Sequence, residues 1–391
     1  MNLRKALKAT HLLLLGLIFS STLFAQASSI PAPTDTTETV DYAFLPALAY
    51  SSDLGLVGGG IMSRYKFADD VNPFFSYLHF NALFSTKGLI SSTLLFDKPQ
   101  FLGKDQRFTS ELFVSRFLQS QFYGIGNTDR LPDALKDSSD FYFYNSFSTG
   151  VELSFRKPIF RSSAQNRLDI FGIANFEYRT PWGNDSDQYI IQQQPLGVEG
   201  TRATSLGGGL IWESRDSEFE PSTGFYGRAE IKVGNGVLGS AVDYFMVESD
   251  VRAYTSFHLI RNITFANRLS FNHSSGEVPY WLLPELGGED LMRGYPENRF
   301  RDDNSILLNT ELRTWLFDWP EYDVRLGGTL FMDLGRTFPN GTSISDITGD
   351  LKHTFGFGGT SSFFNRNFIL RGDVGFSPEG YGIYFTAGYL F

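Results

Sequence analysis

From Asp41 to the last residue, apolar and polar positions alternate along the chain. The final run shows it best. Tyr381, Ile383, Phe385, Ala387, Tyr389 and Phe391 share one parity, and Gly382, Tyr384, Thr386 and Gly388 share the other. Successive side chains of a strand point to opposite faces, so such a run predicts a strand with one greasy face. Other runs are built alike. Ile306, Leu308, Leu312 and Leu316 alternate with Asn309, Glu311 and Arg313, and Val324, Leu326, Leu330 and Met332 alternate with Asp323, Arg325 and Asp333. Phe225, Ala229, Ile231 and Val233 alternate with Arg228, Glu230 and Lys232, while Leu78, Phe80 and Phe84 alternate with Tyr77, His79 and Asn81. A dry core holds so many charges only at high cost. A water-filled lumen holds them easily, with the apolar face turned to lipid. The pattern therefore predicts an all-β, antiparallel transmembrane barrel.

The runs fall near 42–51, 54–66, 74–86, 88–98, 105–120, 140–157, 166–180, 201–214, 224–235, 240–254, 256–273, 304–317, 322–334, 349–361, 364–376 and 381–391. That is about sixteen strands, an even number as single-chain bacterial barrels have. Connections alternate in length. Ser52-Asp53, Thr86-Lys87, Asn235 to Gly239, Asp318 to Glu321 and Ser377 to Gly380 read as tight turns. Asp129 to Asp140, Pro181 to Gly200, Ser274 to Asp303 and Pro339 to Thr348 read as long polar loops. The longest, 30 residues between the eleventh and twelfth strands, could extend on the order of 100 Å. It has the length to fold into the lumen and return.

The beginning of the chain differs from the rest. Arg4, Lys5 and Lys8 precede an apolar stretch, Leu12 to Phe19, and then Ala25-Gln26-Ala27. That order of basic, apolar and small segments marks residues 1–27 as an export signal peptide. The apolar stretch falls short of the ~20 residues a membrane helix needs. Residues 28–41 read as a short periplasmic linker rich in Thr and Pro, leaving 42–391 as the barrel. No later run of 18 apolar residues occurs, so the chain is not a helical membrane protein.

Composition sharpens this reading. The chain has 39 Phe, 18 Tyr and 39 Gly, as suits a barrel with aromatic girdles at both interfaces. No repeat supports a propeller. With no Cys, disulfides, thiol catalysis and Cys-based metal sites are excluded. A net charge of −10 argues against nucleic acid as a partner.

Candidate chemistry is sparse. His79, His258, His273 and His353 are the histidines after the signal peptide, and only His273 stands beside serines, Ser274 and Ser275. There is no Gly-x-Ser-x-Gly elbow and no EF-hand calcium loop. Gly58-Gly59-Gly60 and Gly207-Gly208-Gly209 open no helix, so they read as close packing or curvature in the wall. No catalytic residue, metal or cofactor is expected. The long loop carries Met292-Arg293-Gly294-Tyr295. A cation carried into a lumen needs an anion. Asp333 is a lumen-facing candidate two strands on, and Glu311 and Arg313 could frame the same spot.

With these residues the chain resembles the BamA/TamA-like outer-membrane assembly and translocation superfamily, also called the bacterial surface antigen family. The resemblance rests on Arg293-Gly294-Tyr295 in the sixth outer loop and on Phe331-Met332-Asp333-Leu334-Gly335 in a following strand. It rests further on Phe122-Tyr123-Gly124-Ile125-Gly126-Asn127, on Arg215-Asp216 before Pro221-Ser222-Thr223-Gly224, and on Asn309-Thr310-Glu311-Leu312-Arg313. Together these span essentially Asp41 to Phe391, in the family's order. Two positions depart from the family pattern: Met292 where Val or Leu is usual, and Glu213 where Asp is frequent.

The resemblance implies that Arg293 lies in the lumen and pairs with Asp333, pinning the loop to the wall in a structural role. It implies that the ending on Phe391 is an assembly signal, and that the first and last strands meet at a functional seam. Pro46, Gly382, Gly388 and Phe391 lie on those two strands, and Pro and Gly weaken strand pairing. With only residues 28–41 ahead of the barrel, the chain resembles a barrel-only branch lacking the periplasmic POTRA domains. The implied function is insertion, translocation or remodelling at the bacterial outer membrane, through lumen or seam. The alternatives are a passive pore or structural barrel and, third, a lipid-modifying enzyme. Implied partners are outer-membrane lipid, the assembly machinery that inserts the barrel itself, and a separate periplasmic protein.

Overall fold

The computed structural model describes residues 39–68, 74–103, 105–127, 141–163, 166–183, 185–363 and 369–391. The expected signal peptide, most of the linker and the Asp129–Asp140 loop lie outside these residues. Sixteen antiparallel strands form a closed barrel. They are β1 (Thr39–Ser51), β2 (Gly55–Phe67), β3 (Ser76–Ser85), β4 (Leu89–Lys98), β5 (Arg107–Gln121), β6 (Phe143–Arg161), β7 (Arg167–Pro181), β8 (Thr201–Glu213), β9 (Gly224–Gly234), β10 (Tyr244–His258) and β11 (Asn262–Gly276). After two short strands in the long loop, β12 (Glu285–Leu286) and β13 (Phe300–Arg301), the wall resumes. Its remaining strands are β14 (Asn304–Trp319), β15 (Val324–Phe338), β16 (Lys352–Ser362), β17 (Ile369–Ser377) and β18 (Gly380–Ala387). No helix among the described residues is long and apolar enough to cross a membrane.

Sequence neighbours pair around the wall, except that β11 pairs with β14 across the long loop and β1 with β18 at the closure. Burial follows the alternation. Leu312, Leu330 and Met332 are exposed, whereas Glu311, Arg313 and Asp333 between them are buried. The charges of the enclosed face are matched locally. Arg228 pairs with Glu230, Lys232 with Glu248, and Asp250 receives both Arg252 and Arg268. Partners two residues apart on one strand, or diagonally across on the next, lie on the same face.

Several strand boundaries shift by a few residues from the sequence expectation, and three strands, β10, β11 and β18, show why. β10 and β11 both lie later than the runs 240–254 and 256–273, and meet at Leu259–Arg261. Nothing in the alternation marks that turn, since no Gly or Pro occurs between Thr255 and Asn262. Before β10, residues Gly236–Leu238 form a 3-10 turn capped by the Asn235 side chain, inside the tight turn expected from Asn235 to Gly239.

The third difference is the end of β18. The strand stops at Ala387 rather than reaching Phe391. Gly388 adopts φ +84°, a left-handed conformation that ends the alternation. Its N–H still bonds Ile369 O at 2.8 Å. Tyr389 and Phe391 therefore leave the greasy outer face. Phe391 is buried with Tyr254 and Ala266.

Candidate functional site

The barrel closes on very few bonds. β1 and β18 are in register only at Tyr50 with Phe385 and Ser51 with Tyr384. Ser52 extends this slightly: its N–H donates to Ile383 O at 3.0 Å, and its hydroxyl accepts from Ile383 N at 2.8 Å. Every other neighbouring pair of the wall shares eight or more registered positions. Among the described residues, Thr39–Ala49 has partners on β2 but none on the β18 side. Pro46 lies within that free edge, opposite Gly60 of β2. Gly382 lies on β18, where an added Cβ would meet the Tyr384 hydroxyl.

The long loop has its own small core. β12 and β13 pair as Glu285 with Arg301 and Leu286 with Phe300. Leu286, Met292, Tyr295 and Phe300 pack on Leu307 of β14. This seats Arg293 on the enclosed face of the wall, fully buried. Its Nη2 donates to Asp333 Oδ1 at 2.8 Å and its Nε to Asp333 Oδ2 at 3.1 Å. Its Nη1 reaches Glu311 at 2.6 Å and Asp373 at 3.1 Å. The guanidinium also lies 3.4 Å from the centroid of the Phe331 ring. Asn309 holds Asp333 Oδ1 at 2.8 Å and the loop carbonyl of Leu291 at 2.7 Å.

Charges here balance. Arg293, Arg313 and Arg371 face Glu311, Asp333 and Asp373, with Arg371 bound to Asp373 and Arg313 to Glu311. Buried ions persist only when paired and hydrogen-bonded in this way.

The next loop residue shows why glycine comes after the arginine. A Cβ on Gly294 would come within 2.8 Å of Gly375 backbone on β17, and one on Gly375 within 2.6 Å of Arg293. The two backbones touch, leaving no room for side chains. Gly294 N–H donates to the Tyr384 hydroxyl at 3.0 Å, and Gly294 O accepts from Ser377 at 2.8 Å.

Further along, the loop reaches both strands of the closure. Arg299 forms two 2.7 Å bonds to Glu379, in the turn before β18. Glu297 N–H donates to Asp53, in the turn after β1, at 3.0 Å. Burial pushes the Glu297 carboxyl up to about 7, with Asp53, Glu285, Glu289 and Asp290 acting in the same direction. Burial and then Asp290 push Glu289 up to about 7 as well, against Arg371. Burial also raises Asp53, opposed by the Glu297 N–H, Lys87 and Gln121.

Of the residues singled out in the sequence, Arg293, Glu311 and Asp333 thus come together. Arg313 is one step removed, bound to Glu311 and to Phe391 O. Tyr295 packs edge-on against Phe300. Asp373, Arg371, Arg299, Glu379 and Asp53 were not singled out. The parity of β17 puts Arg371 and Asp373 on one face and was the available signal. Nothing local marks the other three. His273 bonds Asn304 at 2.7 Å and the Ser274 hydroxyl donates to Asp303 O at 3.0 Å, so each is engaged by another residue. His79 lies beside Tyr77 and Ser63, at 2.9 and 3.2 Å.

A closed sixteen-strand barrel, apolar outside and ion-paired inside, with a thin closure, is the build of an outer-membrane barrel. Residues 76–368 match the Omp85 superfamily domain. The chain belongs to that superfamily. Its fold is similar to BamA from Haemophilus ducreyi lacking POTRA domains 1-3, with TM-score 0.59 and 13% identity over 90% of this chain and 70% of that one. It is also similar to CdiB from Acinetobacter baumannii (TM-score 0.55, 13% identity, 90% of this chain, 66% of that one). CdiB from Escherichia coli matches comparably (TM-score 0.56, 13% identity, 91% and 64%). At this identity the likeness is one of fold. No curated protein sequence matches the chain.

Proposed function

We propose that this barrel inserts, translocates or remodels a substrate at the outer membrane by using the β1–β18 closure as a working seam. The observation that carries the reading is the closure itself, two registered pairs against eight or more elsewhere. An unpaired strand edge is a template for another strand, and Thr39–Ala49 offers one. In this reading Arg293, docked in the lumen, holds the loop against the β14–β17 wall. The same loop ties together the two turns flanking the closure, through Asp53 and Glu379. The role is mechanical, with no catalytic step.

The chain has no Cys, so a disulfide engineered between Tyr50→Cys and Phe385→Cys locks the closure cleanly. The barrel in liposomes is expected to speed folding of a second outer-membrane barrel, and the oxidised pair is expected to abolish that gain reversibly. Unchanged assistance from the locked barrel would defeat the seam reading. If the locked barrel instead kept a planar-bilayer conductance that rises in Arg293→Ala, the passive, loop-gated pore would replace it.

A further inference from the structure

The ion cluster and the segment after β18 are joined by one arginine. Glu311 accepts from Arg293 Nη1 through Oε1 at 2.6 Å and from Arg313 Nε through Oε2 at 2.8 Å. Arg313 turns its Nη2 the other way, to Phe391 O at 2.9 Å. Its guanidinium lies 4.2 Å from the Tyr389 ring centroid and 4.8 Å from that of Phe391. Glu311, Arg313 and Phe391 are all buried, and Arg313 Nη1 has no hydrogen-bond partner among the described residues. One unbroken chain thus runs from the loop through Glu311 and Arg313 to the segment beyond β18.

We propose that Arg313 couples docking of the long loop to docking of residues Gly388–Phe391, each favouring the other. The reason is competition for donors. With Arg293 seated, the three carboxylates Glu311, Asp333 and Asp373 face three guanidiniums. Arg313 then needs to give Glu311 only Nε, and its remaining fork is free for the backbone and rings of the terminal segment. With Arg293 withdrawn, Arg371 and Arg313 face three buried carboxylates. A buried carboxylate without its cation is costly, so Arg313, with a spare donor, swings fully onto Glu311 and Asp333 and drops Phe391. In reverse, when the segment leaves, Arg313 Nη2 competes with Arg293 for Glu311 and loosens the loop. The coupling is reciprocal by thermodynamic necessity.

The consequence concerns strand choice. The parity of Tyr389 and Phe391 fits a continued outward-facing strand, yet both contact Arg313 within the barrel. Residues Gly388–Phe391 therefore have two uses, and the loop selects between them. This inference does not depend on which substrate, if any, uses the seam.

Two single-direction measurements test it in the intact barrel. A disulfide formed by a small oxidant between Ala266→Cys and Leu390→Cys reports the docked segment, because Leu390 packs on the Phe391, Tyr254 and Ala266 cluster. Adding Arg293→Gln is expected to lower its yield severalfold, whereas Arg299→Gln, which frees the loop from Glu379 without touching Glu311, leaves it near the starting value. Conversely, the maleimide labelling rate of Met292→Cys reports loop release, and Phe391→Ala is expected to raise it severalfold. Heat-modifiable migration confirms a folded barrel in each variant. A folded Arg293→Gln barrel with unchanged bridging would overturn the coupling. So would an unchanged labelling rate with Phe391→Ala, which also decides the matter if Arg293→Gln does not fold.

Discussion

Strand β1 has two edges, and they could hardly differ more. Towards β2 it is in register over thirteen positions, Thr39 with Phe67 through Ser51 with Gly55. Towards β18 it is in register over two. The residues are the same, so strand propensity is not the cause. The difference lies in what the partner does. β2 runs antiparallel beside the whole strand. β18 stops at Ala387, and residues Gly388–Phe391 turn towards Tyr254 and Arg313. A closure made at one end only needs other support, and the long loop touches both of its sides, at Asp53 and at Tyr384 and Glu379.

The strongest way to break that contrast is to take away the loop's anchor. Arg293→Ala leaves Glu311, Asp333 and Asp373 short of one cation in a dry environment. Loss of one partner from a buried ion pair costs about 3–5 kcal/mol. The expected outcome is a lower temperature for loss of the heat-modifiable folded form, together with fast labelling of a Met292→Cys reporter. Arg293→Lys is expected to rescue poorly, because an ammonium lacks the planar fork that reaches several carboxylates at once. Full rescue by lysine would mean that charge alone, rather than the bond pattern, holds the loop.

The two sides of the comparison were unequally legible in the sequence. The wall was readable almost strand by strand, because lipid on one side and charge on the other enforce a period of two wherever the chain crosses. Glu311 and Asp333 were readable for the same reason, as charges of the enclosed parity. Asp53, Arg299 and Glu379 were not, because turns and loops carry no period and their partners are 80 or more residues away. The end of β18 misled for a physical reason. Tyr389 and Phe391 keep the apolar parity, but one left-handed glycine at 388 outweighs it by changing the chain's direction.

That glycine gives a milder way to sharpen the contrast. A residue with a Cβ costs roughly 1–2 kcal/mol in the left-handed region, and no atom crowds the position that a Cβ on Gly388 would take. Gly388→Ala therefore penalises the turn without a clash. It is expected to lower the Ala266→Cys/Leu390→Cys bridging yield and to lengthen the pairing of β18 with β1. The second effect can be read as slower amide exchange in the residues from Leu45 to Ala49 other than Pro46, which has no N–H. Lower bridging without slower exchange would mean that the released segment does not return to the seam.

The smallest expected effect, and the most specific to the loop side, is a dependence on pH. Glu297 and Glu289 are held at about 7, first by burial and then by neighbouring acids. Asp53, Glu285, Glu289 and Asp290 push Glu297 up, and Asp290, Asp53 and Asp373 push Glu289 up against Arg371. A carboxyl whose value is higher in the docked state than in the released one binds its proton more tightly when docked. Proton linkage then makes docking strongest below the ordinary glutamate value and weaker as pH rises through about 7. Labelling of Met292→Cys, corrected for the thiol's own ionisation with an exposed cysteine control, is expected to speed up within about one pH unit either side of that midpoint. Glu297→Gln, which keeps the N–H bound to Asp53 but removes the charge, should flatten that rise. A rise that persists undiminished in Glu297→Gln and in Glu289→Gln alike would place the titrating group elsewhere and leave the support of the seam independent of these carboxylates.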